Sequence, residues 1–187
     1  MGYHTFDAAK ASKLEDAARR YRYISREELL WALDVNGTET VADLGSGTGF
    51  YTDDVAPQVE SVYGVDLQAE MHEQYREKGL PENVELVESD VVDLPFDDDT
   101  LDAAFSTMTY HEFASEQALE EIARVVRPNG RLVVADWSAD GDGEAGPPLE
   151  ERYDGDAVVT ELRDVGFEIE FWATRRETFL VVGVLNA

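Results

Sequence analysis

The stretch Thr40-Val-Ala-Asp-Leu-Gly-Ser-Gly-Thr-Gly-Phe-Tyr51 constrains the fold more than any other part of the chain. It reads as a short buried strand, Thr40–Leu44, carrying an acid near its end. A turn with glycine at every second position follows, and then the start of a helix. Gly45, Gly47 and Gly49 remove the side chains that would hold a ligand off the backbone, so main-chain N–H groups can approach a small polar molecule closely. A second strand ends in Asp66, and Asp90 follows a third. Acids at the ends of successive strands point to a nucleoside-like cofactor.

Strand patterns recur at Ser61–Asp66, Val84–Ser89, Leu101–Ser106, Arg131–Asp136, Glu168–Ala173 and Thr178–Val184. Helices are predicted over 51–59, 69–79 and 156–165. Another, with Leu119, Ile122, Ala123 and Val126 on one face, runs to Pro128-Asn129-Gly130. Ahead of the first strand, residues 7–34 read as helical. Ser25 followed by Glu28 resembles a capping box there, and Asn36-Gly37 is expected to end the helix. Strands alternating with helices predict an α/β fold: a doubly wound, seven-stranded, mostly parallel sheet of Rossmann-like type. The last two strands are joined by about four residues, too few for a helical crossover, so the last strand should run antiparallel. The expected organisation is one domain over 1–187, with a helical N-terminal lid at 1–38 and a cofactor-binding core at 39–187. Ligands of such sheets sit beyond the carboxyl ends of the strands.

The charge is unusual. Asp and Glu number 41 against 15 Lys and Arg, a formal net charge of −26, spread along the chain rather than gathered in a tail. Such a chain repels nucleic acid, whose binding depends on Lys and Arg. Its self-repulsion is relieved only where salt shortens the Debye length, to about 3 Å at 1 M. A protein of a salt-accumulating organism is expected. No apolar run reaches the roughly 20 residues of a spanning helix. The N-terminus has neither the basic nor the apolar stretch of a signal peptide, so a cytoplasmic location is the expectation. There is no cysteine, which excludes disulfides, thiolate metal sites and a thiol nucleophile.

The glycine pattern is G-x-G-x-G, with Phe50 after it, so the dinucleotide fingerprint G-x-G-x-x-G is not met and no P-loop occurs. Asp43, two residues before the first glycine, suits a ligand bearing an ammonium better than one bearing a phosphate. Here the chain resembles the class I S-adenosylmethionine-dependent methyltransferases. The resemblance rests on Val-Ala-Asp-Leu-Gly-Ser-Gly-Thr-Gly at 41–49, Val-Tyr-Gly-Val-Asp-Leu at 62–67, Ser-Asp-Val-Val-Asp-Leu-Pro-Phe at 89–96 and Ile-Ala-Arg-Val-Val-Arg-Pro-Asn-Gly-Arg-Leu at 122–132. Within that family it is similar to the small ubiquinone- and menaquinone-biosynthesis-like enzymes. Leu14, Asp16 and Arg19 fit the N-terminal pattern of that branch, and Gly146–Arg152 fits its Gly-Pro-Pro-x-x-x-Arg segment.

The resemblance implies S-adenosyl-L-methionine as cofactor. It implies that Gly45, Ser46 and Gly47 lie along the methionine part, with Asp43 near the ammonium, directly or through water. Asp66 would accept the two ribose hydroxyls, Leu67 would pack on the adenine, and Asp90 with the Val91 N–H would read the adenine edge. Thr107 would complete the set. For Asp66 and Asp90 the bland alternative is a solvated strand end, and for Asp43 a cap on turn N–H groups. Transfer from a sulfonium needs no protein nucleophile and no metal, only positioning and, for an acceptor with a proton to lose, a base.

The segment Ser106–Phe113 is expected to face the methyl group. In it His111 is the candidate base or else a packing residue, Tyr110 or Glu112 could orient an acceptor, and Met108 and Phe113 read as wall or core. His4 and His72 read as surface positions. Asp97-Asp98-Asp99 and Asp53-Asp54 read as solvated acids rather than metal ligands. The loop 137–153, with Trp137 and Tyr153, and the N-terminal helices with Phe6 are either a lid or plain connections. The expected function is methyl transfer to a small-molecule acceptor, with no nucleic acid partner and no membrane span. The alternative is a non-catalytic sensor or regulatory protein that binds the same cofactor. The acceptor, the atom methylated and the oligomeric state stay open.

Overall fold

In the computed structural model, residues 13–187 are described; His4, Phe6 and the first part of the 7–34 helix lie outside them. Seven strands form one sheet: β1 (Thr40–Leu44), β2 (Ser61–Asp66), β3 (Val84–Glu88), β4 (Leu101–Thr107), β5 (Val126–Trp137), β6 (Phe167–Thr174) and β7 (Thr178–Leu185). Their order is β3-β2-β1-β4-β5-β7-β6. All pairings are parallel except those of β7, which runs antiparallel to both β5 and β6. The doubly wound, mostly parallel sheet with a reversed last strand is therefore the observed architecture. The chain winds outward from β1 to β3, then returns to place β4 against the other side of β1. The gap beyond the carboxyl ends of β1 and β4 is the topological switch point, where such sheets bind ligands.

Strand alternation sorts the core into two layers. Ala42 and Leu44 of β1, Leu132 and Val134 of β5, and Phe179 and Val181 of β7 pack on one face. That face is covered by α5 (Tyr110–Phe113), α6 (Glu116–Val125) and α7 (Gly155–Asp164). Val41, Val133, Ala135, Leu180 and Val182 point the other way. They meet α2 (Arg26–Leu33), α3 (Phe50–Val55) and α4 (Ala69–Lys78), and a four-residue α1 (Ala17–Arg20) precedes these. Asp43 shares the direction of Val41, so its carboxylate is carried under α3.

The N-terminal region departs from a continuous helix. Asp16 caps α1 and Ser25 caps α2, whose Glu28 N–H it accepts at 3.2 Å. Two N-caps a few residues apart are two helix starts, and the extended backbone at Ser25 breaks the run between them. The Glu28 carboxylate turns outward to Arg175 (2.8 Å) instead of completing a capping box. The helix ends at Asp34, in left-handed conformation (φ 51°), before Asn36-Gly37. The predicted 51–59 helix is α3 followed by a single 3-10 turn, Ala56–Gln58, with a proline near its start.

Candidate active site

Two clefts open beyond the carboxyl ends of the strands. The first, of about 1000 Å3 with its mouth, is lined by the β1–α3 turn, the ends of β2 and β4, the segment after β3, and Leu14 and Arg20. The second, of about 1150 Å3, lies against Lys13, Arg19, Arg20, Tyr23, His111, Trp137 and the 146–148 segment. Leu14, Arg20, Met108 and Glu112 line both, so the two share a wall. Two adjoining clefts suit a cofactor and a second molecule beside it.

The turn after β1 is built from positive-φ glycines: Gly45 (78°), Gly47 (55°) and Gly49 (76°). A Cβ on Gly45 would stand 2.3 Å from Thr109 Cγ2, and one on Gly49 2.0 Å from the Tyr75 ring. Two of the three glycines are thus required by the packing of the fold, not by a ligand. The main-chain donors of the turn are also engaged internally, contrary to the expectation that they face a ligand. Gly45 and Ser46 N–H both reach the Val65 carbonyl at 2.9 Å, and Gly49 N–H reaches the Ser46 carbonyl at 2.9 Å. Gly47 N–H donates to Asp66 Oδ2 at 2.8 Å. Buried strand-end donors need partners, and the end of β2 supplies them. The turn is therefore not an anion-binding nest, which disfavours a pyrophosphate there. The Ser46 hydroxyl, nearly buried, has no partner among the described residues.

Asp66 is fixed by two backbone donors, Gly47 N–H on Oδ2 and Gln68 N–H (2.9 Å) on Oδ1. An ionised carboxylate has about four acceptor positions, so each oxygen keeps capacity for another donor. Leu67, next to it on the lip of the cleft, is 55% exposed, unusual for a large apolar side chain at a site so well formed. Asp90 is exposed and accepts Val92 N–H at 3.2 Å, while Val91 is buried beneath it. Thr107 lies at the end of β4 on the opposite wall. Gly45, Ser46, Gly47, Asp66, Leu67, Asp90, Val91 and Thr107 all line the first cleft.

Asp43 does not line it. The carboxylate is buried under α3, with Oδ2 accepting the Thr52 hydroxyl at 2.6 Å and Oδ1 without a hydrogen-bond partner among the described residues. Burial pushes its pKa up to about 7, against the hydrogen bond from Thr52 and the charge of Arg20. Arg20 sits where the two clefts meet, its guanidinium over the Tyr51 ring at 4.6 Å and its Nε buried without a hydrogen-bond partner among the described residues.

At the second cleft the structure pairs His111 with Asp136, a residue the sequence reading did not single out. Asp136, next to last in β5, is fully buried. It accepts the backbone N–H groups of His111 (2.7 Å) and Trp137 (2.6 Å), and both its oxygens stand 3.0 Å from His111 Nδ1. An ionised carboxylate only accepts, so Nδ1 carries the proton and Nε2 is left with its lone pair when the ring is neutral. Nε2 stands 4.0 Å from Glu112. Burial opposes charge on His111, but Asp136, Glu112 and Glu151 outweigh it and raise its pKa. An acid at a strand's carboxyl end was the feature that marked Asp43, Asp66 and Asp90, and Asp136 carries it too.

Several other expectations need correction. Tyr110 is fully buried and donates to Glu161 Oε2 at 3.0 Å, away from both clefts. On a helix its neighbour His111 is turned by about 100°, so one faces the core and the other the cleft. His72 is buried, not a surface residue, because it shares a face of α4 with Tyr75; burial lowers its pKa. Asp53 and Asp54 are not merely solvated: Asp53 accepts the Tyr75 hydroxyl (2.6 Å) and pairs with Lys78 (2.8 Å), and Asp54 accepts the Tyr21 hydroxyl (2.9 Å). Asp98 pairs with Arg124 at 2.8 Å. The 137–153 loop is tied down, since Glu177 accepts Gly143 and Glu144 N–H and pairs with Arg152 at 3.0 Å. Trp137 lines the second cleft, whereas Tyr153 packs on Tyr110.

Residues 42–134 match a protein family described as Methyltransferase domain. A solved SAM-dependent methyltransferase from Aquifex aeolicus superposes with a TM-score of 0.87 at 31% identity, covering 97% of this chain and 100% of that one. A demethylmenaquinone methyltransferase of Corynebacterium kroppenstedtii is 40% identical over 107 residues, which are 57% of this chain and 45% of that protein. One from Mycobacterium sp. (strain KMS) is 31% identical over 140 residues, 68% of this chain and 59% of its own length. The chain thus spans about half the length of the curated relatives it matches.

Proposed function

The chain belongs to the S-adenosylmethionine-dependent methyltransferases, and from that premise we propose that it methylates a small molecule held in the second cleft. The observation that carries this is the His111–Asp136 pair, which opens on a cleft sharing a wall with the cofactor cleft. S-adenosyl-L-methionine supplies an electrophilic methyl group on a sulfonium, so the protein's part is positioning, exclusion of water and handling of a proton. The first cleft fits that cofactor. The Ser46 hydroxyl on its wall is a buried polar atom with no partner among the described residues, and the turn is poor in free N–H groups, as suits a group ending in an ammonium.

In this reading Asp66, already oriented by two backbone donors, accepts the ribose hydroxyls on its remaining positions. Leu67 covers the adenine and is covered by it. Asp90 and the Val91 N–H recognise the adenine edge. Gly45, Ser46 and Gly47 run along the methionine part, Asp43 balances its ammonium from beneath, and Thr107 closes the wall beside them. His111 takes the acceptor's proton at Nε2, while Asp136 fixes the tautomer and supports the charge that forms. A non-catalytic sensor would have no use for such a base.

A small acceptor is favoured over nucleic acid by the net charge of −26. Some of the relatives are named demethylmenaquinone methyltransferases, and the second cleft sets Lys13, Arg19, Arg20 and Glu151 beside Leu14, Tyr23, Met108, Trp137, Pro147 and Pro148, a lining both charged and apolar. The same charge supports a salt-rich cytoplasm as the working environment, with the described span acting as one catalytic domain. The test is incubation of the protein with labelled S-adenosylmethionine and a small-molecule extract, the product being identified by mass. Label in a small molecule is expected. Label found only in protein or RNA would overturn the proposal.

A further inference from the structure

In a chain with 41 acids and 15 bases, a cation without a carboxylate partner needs explaining. Most lysines and arginines of the described span have one: Lys78 with Asp53, Arg124 with Glu121, Arg131 with Glu170, Arg152 with Glu177 and others. No ion pair is formed by Lys13, Arg19, Arg20, Arg22, Arg76 or Arg163 among the described residues, and of these six Lys13, Arg19 and Arg20 line the second cleft. Arg20 is the most telling, because its Nε is buried with no hydrogen-bond partner among the described residues. Burial lowers its pKa even against the charges of Asp43 and Glu15, so an anion entering the cleft is favoured beside it.

The rest of the cleft is differently furnished. Tyr23 and Trp137 meet edge to face, with centroids 4.6 Å apart, and offer flat apolar surface. Glu112 and Glu151 lie with His111. The cleft is thus bipolar. Basic groups come from the N-terminal segment, and acids gather about the base. An anion entering it is repelled from the His111 end and drawn to the other, which fixes its direction.

We propose that the acceptor is a planar hydroxylated ring bearing an anionic substituent, a carboxylate or a phosphate-type group. The anion sits against Lys13, Arg19 and Arg20, and the hydroxyl points to His111. This rests on the reading of the second cleft as the acceptor site. In the transfer the hydroxyl oxygen forms a bond to the methyl carbon. The carbon–sulfur bond breaks with its electron pair left on sulfur, and the hydroxyl proton goes to His111 Nε2. Arg19 and Lys13, which line only the second cleft, set the preference for the anion. Arg20, shared with the cofactor cleft, is left out of the test.

The test uses the full chain saturated with S-adenosylhomocysteine and three probes of one ring: 3,4-dihydroxybenzoic acid, its neutral amide and the corresponding phosphonic acid. By calorimetry at low salt, at least one anionic probe should bind about ten-fold or more tightly than the amide, as expected for charge-assisted contacts with guanidinium. Which anion wins separates carboxylate from phosphate-type recognition. The double variant Lys13→Gln, Arg19→Gln should lose that preference while its affinity for S-adenosylhomocysteine stays the same. Equal binding of acid and amide, no binding of any probe, or a preference that survives the double substitution would overturn the proposal. Methyl transfer, assayed in parallel with S-adenosylmethionine, keeps the two readings apart. Efficient methylation of the amide alone sinks the anion and spares the methyltransferase site. Anion-selective binding without methylation of any small molecule does the reverse.

Discussion

His111 and Asp136 set the pH behaviour expected of catalysis. The base must be neutral to act, and its pKa lies above the ordinary 6.5 because Asp136 and two glutamates overcome burial. Turnover should therefore rise with pH through a midpoint above 6.5. Asp136→Asn removes the main charge holding the proton, so the midpoint should move down while kcat falls. His111→Gln should cost kcat roughly 100-fold, in the usual range for a lost general base, with cofactor affinity kept. A pH–rate series on the three proteins checks this. Asp43 makes a second prediction. Its carboxyl, at about 7 in the free protein, must be ionised to balance an ammonium. Below pH 7 binding has to displace its proton, so affinity for S-adenosylhomocysteine should weaken by up to about ten-fold per pH unit and level off above 7. Calorimetry across pH 5.5–8.5 should find the slope in the native protein and not in Asp43→Asn. The acids at strand ends were legible in the sequence because a strand's last residues must lie at the sheet's carboxyl edge. Whether an acid there faces a ligand or another side chain was not legible. Asp43 turns under α3, and Asp136 serves His111, a contact between residues brought together only by folding.

At the scale of elements, strand number and direction followed from patterns of known length. The link expected between the last two strands was too short for a crossover, and the three residues that join β6 to β7 go with the reversal that is observed. What escaped were pieces too short to have a period. The helix α5 has four residues, and periodicity could not say whether Tyr110 or His111 faces inward. The break between α1 and α2 was likewise masked by good helix formers on both sides. Asp66 connects these elements, since it ends β2 and holds both the β1–α3 turn and the Gln68 amide ahead of α4. Asp66→Ala should thus weaken S-adenosylhomocysteine binding about 100-fold or more, equivalent to about 2.7 kcal/mol, through loss of ribose contacts and of the turn's anchor. Calorimetry measures it. Gly49→Ala should lower the melting temperature sharply, because its Cβ would enter the Tyr75 ring and its φ of 76° is strained for alanine.

The molecule as a whole carries a charge that opposes its own compactness. Many of its few cations are bound up in contacts such as Arg131 between Asp34 and Glu170, but these leave a large excess of acid. Melting temperature should climb by roughly 10 °C or more between 0.1 and 3 M KCl as screening removes the repulsion. A near-neutral protein of similar size should gain much less, and thermal melts on both decide it. One contact responds to salt in the opposite sense. Glu15, in the segment whose Leu14 and Arg20 wall both clefts, is hydrogen-bonded to the Thr48 hydroxyl and clasped by Lys78 at 3.3 Å. Ions that firm the body of the protein loosen this clasp, since an exposed pair is worth at most about 1 kcal/mol and fades with screening. Brine would then make a tighter core with a readier door, and the salt that hardens the fold against heat would also quicken the exchange of what it holds.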